Sequence, residues 1–373
     1  MNDGEISARH FATSQPVRVR WQAGVITEIS PADSGTATEN RIAPGLVDLQ
    51  VNGYGGIDFQ RDDLRVDDLL SAVRQLRAAG CGQFLLTLIT DAWPKLTARL
   101  RHLRALRAAS PELQRSIIGW HIEGPFLSIE PGFHGAHNPA LMLDPAPAHI
   151  QELRAITGAD PLLLTIAPER NGAIAAIALA TSLGIKVSLG HTNASTELLH
   201  HAAAAGATGF THLGNGCPRD LDRHENILWR ALDTPGLTAS LIPDRIHVSP
   251  ALFRLVHRAR QSNGIYYTTD AMSAAGAPPG RHTLGTLEME VGADQIVRQR
   301  GKTNLAGSAL RPIDGVFRAA EMLNCPWPEV WNRFSTVPAQ FMGLHSGLEI
   351  GRPANFCVLK FGPSQQLIEL KSI

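Results

Sequence analysis

The chain has 373 residues, 44% of them hydrophobic, and its 34 Lys+Arg are balanced by 34 Asp+Glu. That length can bury a full core, and zero net charge without a basic tract argues against a nucleic-acid or anionic-membrane surface. The four cysteines (Cys81, Cys217, Cys325, Cys357) are scattered with no C-x-x-C pair, as expected of a reduced, cytoplasmic protein without a disulfide frame. The start, Met1 to Glu5, lacks the basic end and apolar core of a signal peptide. The longest uncharged stretch, 171–185, is too short to span a bilayer and reads as a helix running into a strand.

Residues 17–30 alternate around Gly24 and read as a hairpin, and Arg41-Ile42-Ala43-Pro44-Gly45 reads as a boundary. A new rhythm begins at Leu46. Short apolar strands are expected at 46–51, 83–89, 117–122, 162–166, 186–190, 208–212, 237–242 and 265–269. Amphipathic helices are expected between them, at 67–76, 95–109, 148–156, 173–183, 195–205 and 250–261. This alternation favours a (β/α)8 TIM-like barrel over a doubly wound sheet. Further β segments follow at 283–298, then helices at 312–323 and 327–336, then a closing strand at 355–359. That strand is expected to pair with the N-terminal hairpin. Residues 1–43 and 345–373 would then form a small β-sandwich domain built from both chain ends, beside an α/β barrel of residues 44–344.

In such a barrel the active site lies where the strands end. That face gathers Gln50 and Asn52, then Glu123, Glu169, His191, His212, His247 and Asp270. Gly124-Pro125 must stop the third strand, leaving Glu123 at its tip, and a carboxylate there is costly to desolvate unless a cation or donor meets it. One carboxylate and two imidazoles, Glu123, His191 and His212, at three strand tips suggest a divalent metal. Asp270 can serve as a helix cap, but beside a metal it suits the proton donor and acceptor of a hydrolysis. Glu169 reads as a solvated or capping residue outside the site, and His121 as a group inside the barrel on Glu123's side of the strand. His-x-Glu also occurs in zinc nucleobase deaminases, but their Pro-Cys-x-x-Cys partner is absent. Arg219 and Arg223 read equally well as solvated side chains or, were a phosphate nearby, as its ligands.

Taken together, the motifs resemble the N-acetylglucosamine-6-phosphate deacetylases of the amidohydrolase superfamily, in order from about residue 43 to residue 360. The resemblance is carried by Ala43-Pro44-Gly45-Leu46-Val47-Asp48, His121-Ile122-Glu123-Gly124-Pro125, Gly135-Ala136-His137-Asn138-Pro139 and Ala167-Pro168-Glu169. It continues through Gly190-His191-Thr192-Asn193-Ala194, Thr211-His212-Leu213-Gly214-Asn215, Ile246-His247-Val248, Thr269-Asp270-Ala271 and Leu305-Ala306-Gly307-Ser308. It implies one divalent ion per chain, zinc before iron, cobalt or manganese, on Glu123, His191 and His212, with Asp270 moving the proton. It assigns substrate contacts to Ala136, His137, Asn215 and Gly216, to Arg223 on the phosphate, to His247 on the amide carbonyl, and to Leu305, Ala306 and Gly307. The family's phosphate arginine can come from a neighbouring subunit, so a homodimer is implied. Gln50-Val51-Asn52 stands where many amidohydrolases carry His-x-His for a second metal, and amides are poor ligands beside imidazole.

The departures cluster on the sugar-phosphate side. Asn215-Gly216-Cys217 replaces the usual Asn-Ala-Met, His224-Glu225-Asn226 follow the arginine in place of Glu-Pro-Gly, and Arg245 stands where a glycine is usual. The implied reaction is hydrolysis of N-acetylglucosamine 6-phosphate to glucosamine 6-phosphate and acetate. The alternatives are a deacetylase of a related N-acetyl amino sugar, a cyclic-amide hydrolase or deaminase on the same barrel, and a non-catalytic sugar-phosphate-binding protein.

Overall fold

The computed structural model describes residues 3–33, 35, 39–260, 264–301 and 305–373. Eight parallel strands form one sheet in chain order: Leu46–Val51, Cys81–Ile89, Ile117–Glu123, Leu162–Ile166, Lys186–Leu189, Gly209–Phe210, Thr238–Leu241 and Ile265–Tyr267. Each is largely buried on both faces because helices cover the outside and side chains fill the inside; all five residues of Leu162–Ile166 are buried. The expected helices are present at Val66–Ala78, Trp93–Ala108, Pro147–Thr157, Ala173–Ser182, Thr196–Ala204 and Pro250–Ala259. Side-chain oxygens start several of them. Ser195 accepts from Leu198 N and Ser249 from Leu252 N, each satisfying a backbone donor that the first helical turn leaves free. No helix among the described residues is long and apolar enough to cross a membrane.

The last three strands that carry site residues are shorter than their apolar runs suggest. The sixth, for example, is expected over 208–212 and pairs only at Gly209–Phe210. The chain leaves the ladder early because His191, His212 and Asp270 take left-handed backbone, with φ of 49°, 31° and 51°. That region costs a residue with a Cβ about 1–2 kcal/mol, and it turns each side chain from the strand into the barrel mouth. Arg245 shares it, with φ 69°, at the position where the resemblance leads one to expect glycine.

Between the eighth and first strands the ladder shrinks to a single bridge, Val51 with Ala271. A side chain completes the closure. The buried Asp48 carboxylate on the first strand accepts from the Thr268 and Thr269 hydroxyls, both at 2.5 Å, and from Thr269 N at 3.1 Å. Backbone pairing is thus replaced by a carboxylate bridge directly before Asp270.

The chain ends meet in a separate six-stranded sheet, ordered Leu367–Ser372, Phe356–Phe361, Arg41–Pro44, Gly4–His10, Pro16–Gln22 and Val25–Pro31. Its core includes Val19, Trp21, Ile26, Ile42 and Phe356, with Trp21 edge-on to Phe356 at 5.3 Å. The expected hairpin and closing strand are both here. The stretch read as a boundary, 41–44, is a central strand whose partners lie far away in sequence, Gly4–His10 on one side and Phe356–Phe361 on the other. We propose that this sheet, as residues 1–43 with 345–373, forms one domain and residues 44–344 the other. The β segments at 283–298 form a three-stranded antiparallel sheet, Gly280–Leu284, Leu287–Val291 and Val297–Gln299. The single helix expected over 327–336 is broken into Pro328–Trp331, a 3-10 turn at Asn332–Phe334 and Thr336–Phe341, because Ser335 leaves helical geometry at φ −129°, ψ −82°.

Two predictions follow from the backbone. Burial pushes the Asp48 carboxyl from 3.8 up to about 6, against the hydrogen bonds it accepts. The folded state therefore holds this proton more tightly than the unfolded chain, so the stability it contributes is complete below about pH 4 and is lost as pH rises through 6. In urea unfolding, the stability of the wild type relative to Asp48→Asn should fall by about 3 kcal/mol between pH 4 and pH 7; a constant difference would show that Asp48 does not titrate in this window. At Arg245, Gly and Val variants both lose the exposed ion pair with Glu321, so their difference isolates the backbone. Arg245→Gly should stay within about 1 kcal/mol of the wild type while Arg245→Val loses a further ~1–3 kcal/mol. Equal thermal stabilities of the two would remove the strain from this position.

Candidate active site

Glu123 ends the third strand and is 3% exposed. The next residue, Gly124, has φ 92°, and a Cβ there would lie 2.2 Å from Thr90 Oγ1, so only glycine lets the chain turn so closely above the carboxylate. His212 Nε2 stands 2.8 Å and His191 Nε2 3.5 Å from Glu123 Oε1, with the two rings edge-on at 4.9 Å. All three ligand atoms lie within 4.8 Å of one another. His191 donates Nδ1–H to Phe133 O at 2.9 Å, which fixes the tautomer that leaves an Nε2 lone pair free. One carboxylate and two converging, buried imidazoles form a donor set that fits a divalent metal. Burial alone would push the Glu123 carboxyl up. The neighbouring His191 and His212 imidazoles outweigh it and hold the group well below the usual carboxylate range.

The two amides of the first strand face the same centre. Gln50 Nε2 donates to Glu123 Oε1 at 2.9 Å, and Asn52 Nδ2 donates to Asp270 Oδ1 at 2.7 Å. Each thus spends its N–H on a carboxylate, where the two histidines of a His-x-His pair would offer lone pairs. Asp270 is buried, and its carboxyl is raised, first by burial and then by the Glu123 charge. A carboxyl raised toward neutrality is suited to taking and returning a proton.

Above this floor opens a cavity of about 790 Å³ whose wall includes Ala136, His137, Asn215, Gly216, His247, Leu305, Ala306 and Gly307. Every substrate contact expected from the sequence therefore lies in the wall except Arg223. That residue is exposed on a turn held by Asp222 Oδ1, which accepts from His224 N and Glu225 N at 2.8 Å.

Some functional geometry was not legible in the sequence. His137, read only as a substrate contact, stands against the metal ligands: its Nε2 is 3.7 Å from Glu123 Oε2 and its Nδ1 2.8 Å from Thr90 Oγ1. Burial, then the neighbouring His191, pushes its pKa down to about 3, so it is a neutral imidazole. His247 gives Nδ1–H to Asp244 Oδ2 at 2.6 Å, while Asp244 Oδ1 accepts from the backbone of Ile246 and His247 at 2.8 Å. The Asp-x-x-His spacing carried that signal. Leu284 and Leu287, at the tip of the three-stranded sheet, line the cavity without any motif to announce them. His121 bonds Thr165 Oγ1 at 2.8 Å inside the barrel, and burial pushes its pKa down to about 4. Glu169 braces the turn after His191, accepting from Asn193 N at 2.9 Å and from the Thr192 hydroxyl.

No family model matches the chain. The N-acetylglucosamine-6-phosphate deacetylase of Danio rerio is 34% identical over 345 residues, 88% of this chain and 83% of that protein. The N-acetylgalactosamine-6-phosphate deacetylase of Escherichia coli O157:H7 is 29% identical over 357 residues, 94% of this chain and 92% of that protein. Among solved structures, a variant of N-acetyl-D-glucosamine-6-phosphate deacetylase from Mycobacterium smegmatis, in complex with N-acetyl-D-glucosamine-6-phosphate, is similar with a TM-score of 0.88. It shares 28% identity and covers 100% of this chain and 99% of its own. Shared residues along most of its length, on a backbone matched from end to end, show that the chain belongs to the N-acetylglucosamine-6-phosphate deacetylase family of the amidohydrolase superfamily.

Proposed function

We propose that this chain is an amide hydrolase that converts N-acetylglucosamine 6-phosphate to glucosamine 6-phosphate and acetate. The observation that carries this reading is the placement of Asp270 in the same cavity wall as the Glu123, His191 and His212 cluster. A merely binding protein needs no proton carrier beside a metal site. Bound to those three residues, a divalent ion, zinc in our reading, supplies Lewis acidity and a water acidic enough to attack an amide at neutral pH.

The chain's own groups do the rest. Asp270, oriented by Asn52, removes the water's proton and returns it to the sugar nitrogen, which would otherwise leave as an unstable amide anion. Two imidazoles can meet the amide oxygen as negative charge develops on it. His137 is neutral, and with the Thr90 hydroxyl donating to Nδ1 it presents Nε2–H beside the metal ligands. His247 has spent Nδ1–H on Asp244, so it donates from Nε2 only in its doubly protonated form. Gln50 keeps the Glu123 carboxylate aimed at the metal site.

Arg223 matches the family's phosphate arginine yet lies outside this chain's cavity wall, and on that ground we propose a homodimer in which it serves the neighbouring site. Four scattered, unpaired cysteines support a cytoplasmic setting. The 29% identical N-acetylgalactosamine-6-phosphate deacetylase supports a second reading, in which the epimeric sugar is the substrate. Acetate release from the two sugar phosphates side by side decides between them.

Two further measurements test the chemistry. Elemental analysis should find about one divalent ion per chain, lost in His191→Ala; two tightly held ions would overturn the reading of Gln50 and Asn52 as donors. Asp270→Asn should keep its metal while kcat falls by roughly 10²–10⁴-fold or more, since one group serves both proton steps. A near-native kcat would reduce Asp270 to a structural cap.

A further inference from the structure

An acyl chain is apolar, whereas the sugar that carries it is a polyol, and the cavity wall is divided in the same sense. Ile89, Ala136, Leu284, Leu287 and Ala306 line the cavity and belong to a single apolar cluster that also contains Met272 and Met289. Polar side chains, among them His134, Asn215, Arg219 and His247, occupy other parts of the wall. Ile89 is paired with Glu123 across the second and third strands. Ser308, two residues beyond Ala306, donates its N–H to Asp270 O at 2.8 Å. The apolar patch therefore reaches both the strand of a metal ligand and the loop beside the proton carrier. The acyl carbon of an amide must lie between those two groups.

Leu284 and Leu287 reach this wall through a tight hairpin. Strands Gly280–Leu284 and Leu287–Val291 pair with Leu284 opposite Leu287, leaving a two-residue turn in which Gly285 has φ 59°. Directly opposed residues share a face of the sheet. The alternation Leu287-Glu288-Met289-Glu290-Val291 turns the apolar side inward and leaves both glutamates exposed. Asp58 anchors the tip. It is 1% exposed, and its Oδ2 accepts from Gly285 N at 2.8 Å and from Thr283 Oγ1 at 3.0 Å. Ser273 Oγ adds a bond to Thr283 O at 2.6 Å. On the other side, Asp58 Oδ1 accepts from Gln60 N at 2.9 Å. The Gln60 side chain then clasps the second barrel strand, donating to Thr87 O at 2.9 Å and accepting from Ile89 N at 3.1 Å. The hairpin tip is thus tied to the barrel by a buried carboxylate that no step of the hydrolysis uses.

We infer that Asp58 is a positioning residue: it pins the hairpin tip so that Leu284 and Leu287 form a fixed stop, which admits an acetyl group and excludes longer acyl chains. The inference rests on the proposed amide hydrolysis and concerns which acyl chain that reaction accepts. An apolar wall discriminates against an added methylene only where it cannot yield, because the penalty is one of overpacking. Leu284 is buried within the cluster, and the two bonds to Asp58 Oδ2 hold the turn against swinging outward.

The test measures carboxylate release from the N-acetyl, N-propionyl and N-butyryl forms of glucosamine 6-phosphate. In the wild type, kcat/KM should fall by roughly 10–200-fold for an added methylene. Leu287→Ala removes side-chain volume from the stop and should raise the propionyl-to-acetyl ratio by about 10-fold or more. Asp58→Asn turns an N–H donor toward Gly285 N and should move the same ratio in the same direction with the metal content retained. Thr283→Val, which removes one of the two bonds to Asp58 Oδ2, is a milder variant with the same expected direction. A lower melting temperature in the Asp58 and Thr283 variants with an unmoved ratio would make the tether merely structural and overturn the inference. An equal rise in KM for all three acyl groups in Leu287→Ala would also overturn it, by placing the sugar on this wall. Calorimetry of the three compounds in an Asp270→Asn background supplies an arm independent of turnover. Affinity that falls with acyl length and is levelled by Leu287→Ala would retain the stop even where the wild type released no carboxylate, a result that rejects the deacetylase reading. Equal affinity and equal kcat/KM across the series, with acetate released, would reject the stop and leave the deacetylase reading standing.

Discussion

The Glu123 carboxylate sits at the bottom of the cavity with almost no access to water, and a bare charge in that place would cost several kcal/mol. It is tolerated because one of its oxygens is approached by Gln50 from the first strand, His191 after the fifth and His212 after the sixth. The three elements are far apart in sequence and become neighbours only when the sheet curls. The metal site and the closure of the barrel are thus one constraint. A barrel that opened would leave Glu123 unmet, and a missing Glu123 would leave two buried imidazoles converging on nothing.

The backbone supports that arrangement at a local expense in energy. His191, His212 and Asp270 occupy left-handed conformations that side chains with a Cβ avoid. Strain of this kind persists only where the surroundings over-determine it. Here they do. His212 N donates to Ser240 Oγ at 2.7 Å, and His191 is held through Phe133. Asp270 is flanked by the Asp48 bridge to Thr269 on one side and, on the other, by Ser308, whose N donates to Asp270 O at 2.8 Å. Asp48 therefore does more than fill a gap in the ladder: it anchors the residue before the proton carrier.

The chemical end and the recognition end of the cavity are built differently. Groups on the floor hang from strand tips and are held by buried hydrogen bonds, as Glu123 is by Gln50, His191 by Phe133 and Asp270 by Asn52. The rim is made of loops, 130–137 and 214–221, and of the hairpin tip that supplies Leu284 and Leu287. A change at the rim does not disturb the ladders beneath it, so recognition can vary while hydrolysis is kept. The departures from the usual motifs at Cys217, Arg245 and the residues after Arg223 lie in just such loop segments. Arg245 shows that the backbone tolerates them, since the chain keeps the left-handed turn of a glycine there while carrying a large cation bonded to Glu321.

The eight barrel strands, six of the helices between them and the residues at the strand tips were legible in the sequence, whereas the short helices Pro111–Ser116 and Ile227–Asp233 were not. Periodicity and strand ends are local properties, written in runs of five to ten residues. Glu123, His191, His212 and Asp270 could be named because each ends an apolar run, and the geometry brings them together as read. What tertiary structure alone decided depends on partners remote in sequence. The 41–44 segment has only two apolar residues and becomes a central strand because both chain ends pair with it. His137 becomes a neighbour of the metal ligands because its loop folds back over His191. The exclusion of Arg223 and the admission of Arg219, four residues apart in one polar loop, follow from a turn capped by Asp222 and a proline packed on Gly132. Composition and spacing treat these two arginines alike and the motif singles out Arg223, but only the path of the chain in space puts Arg219 rather than Arg223 in this chain's cavity wall.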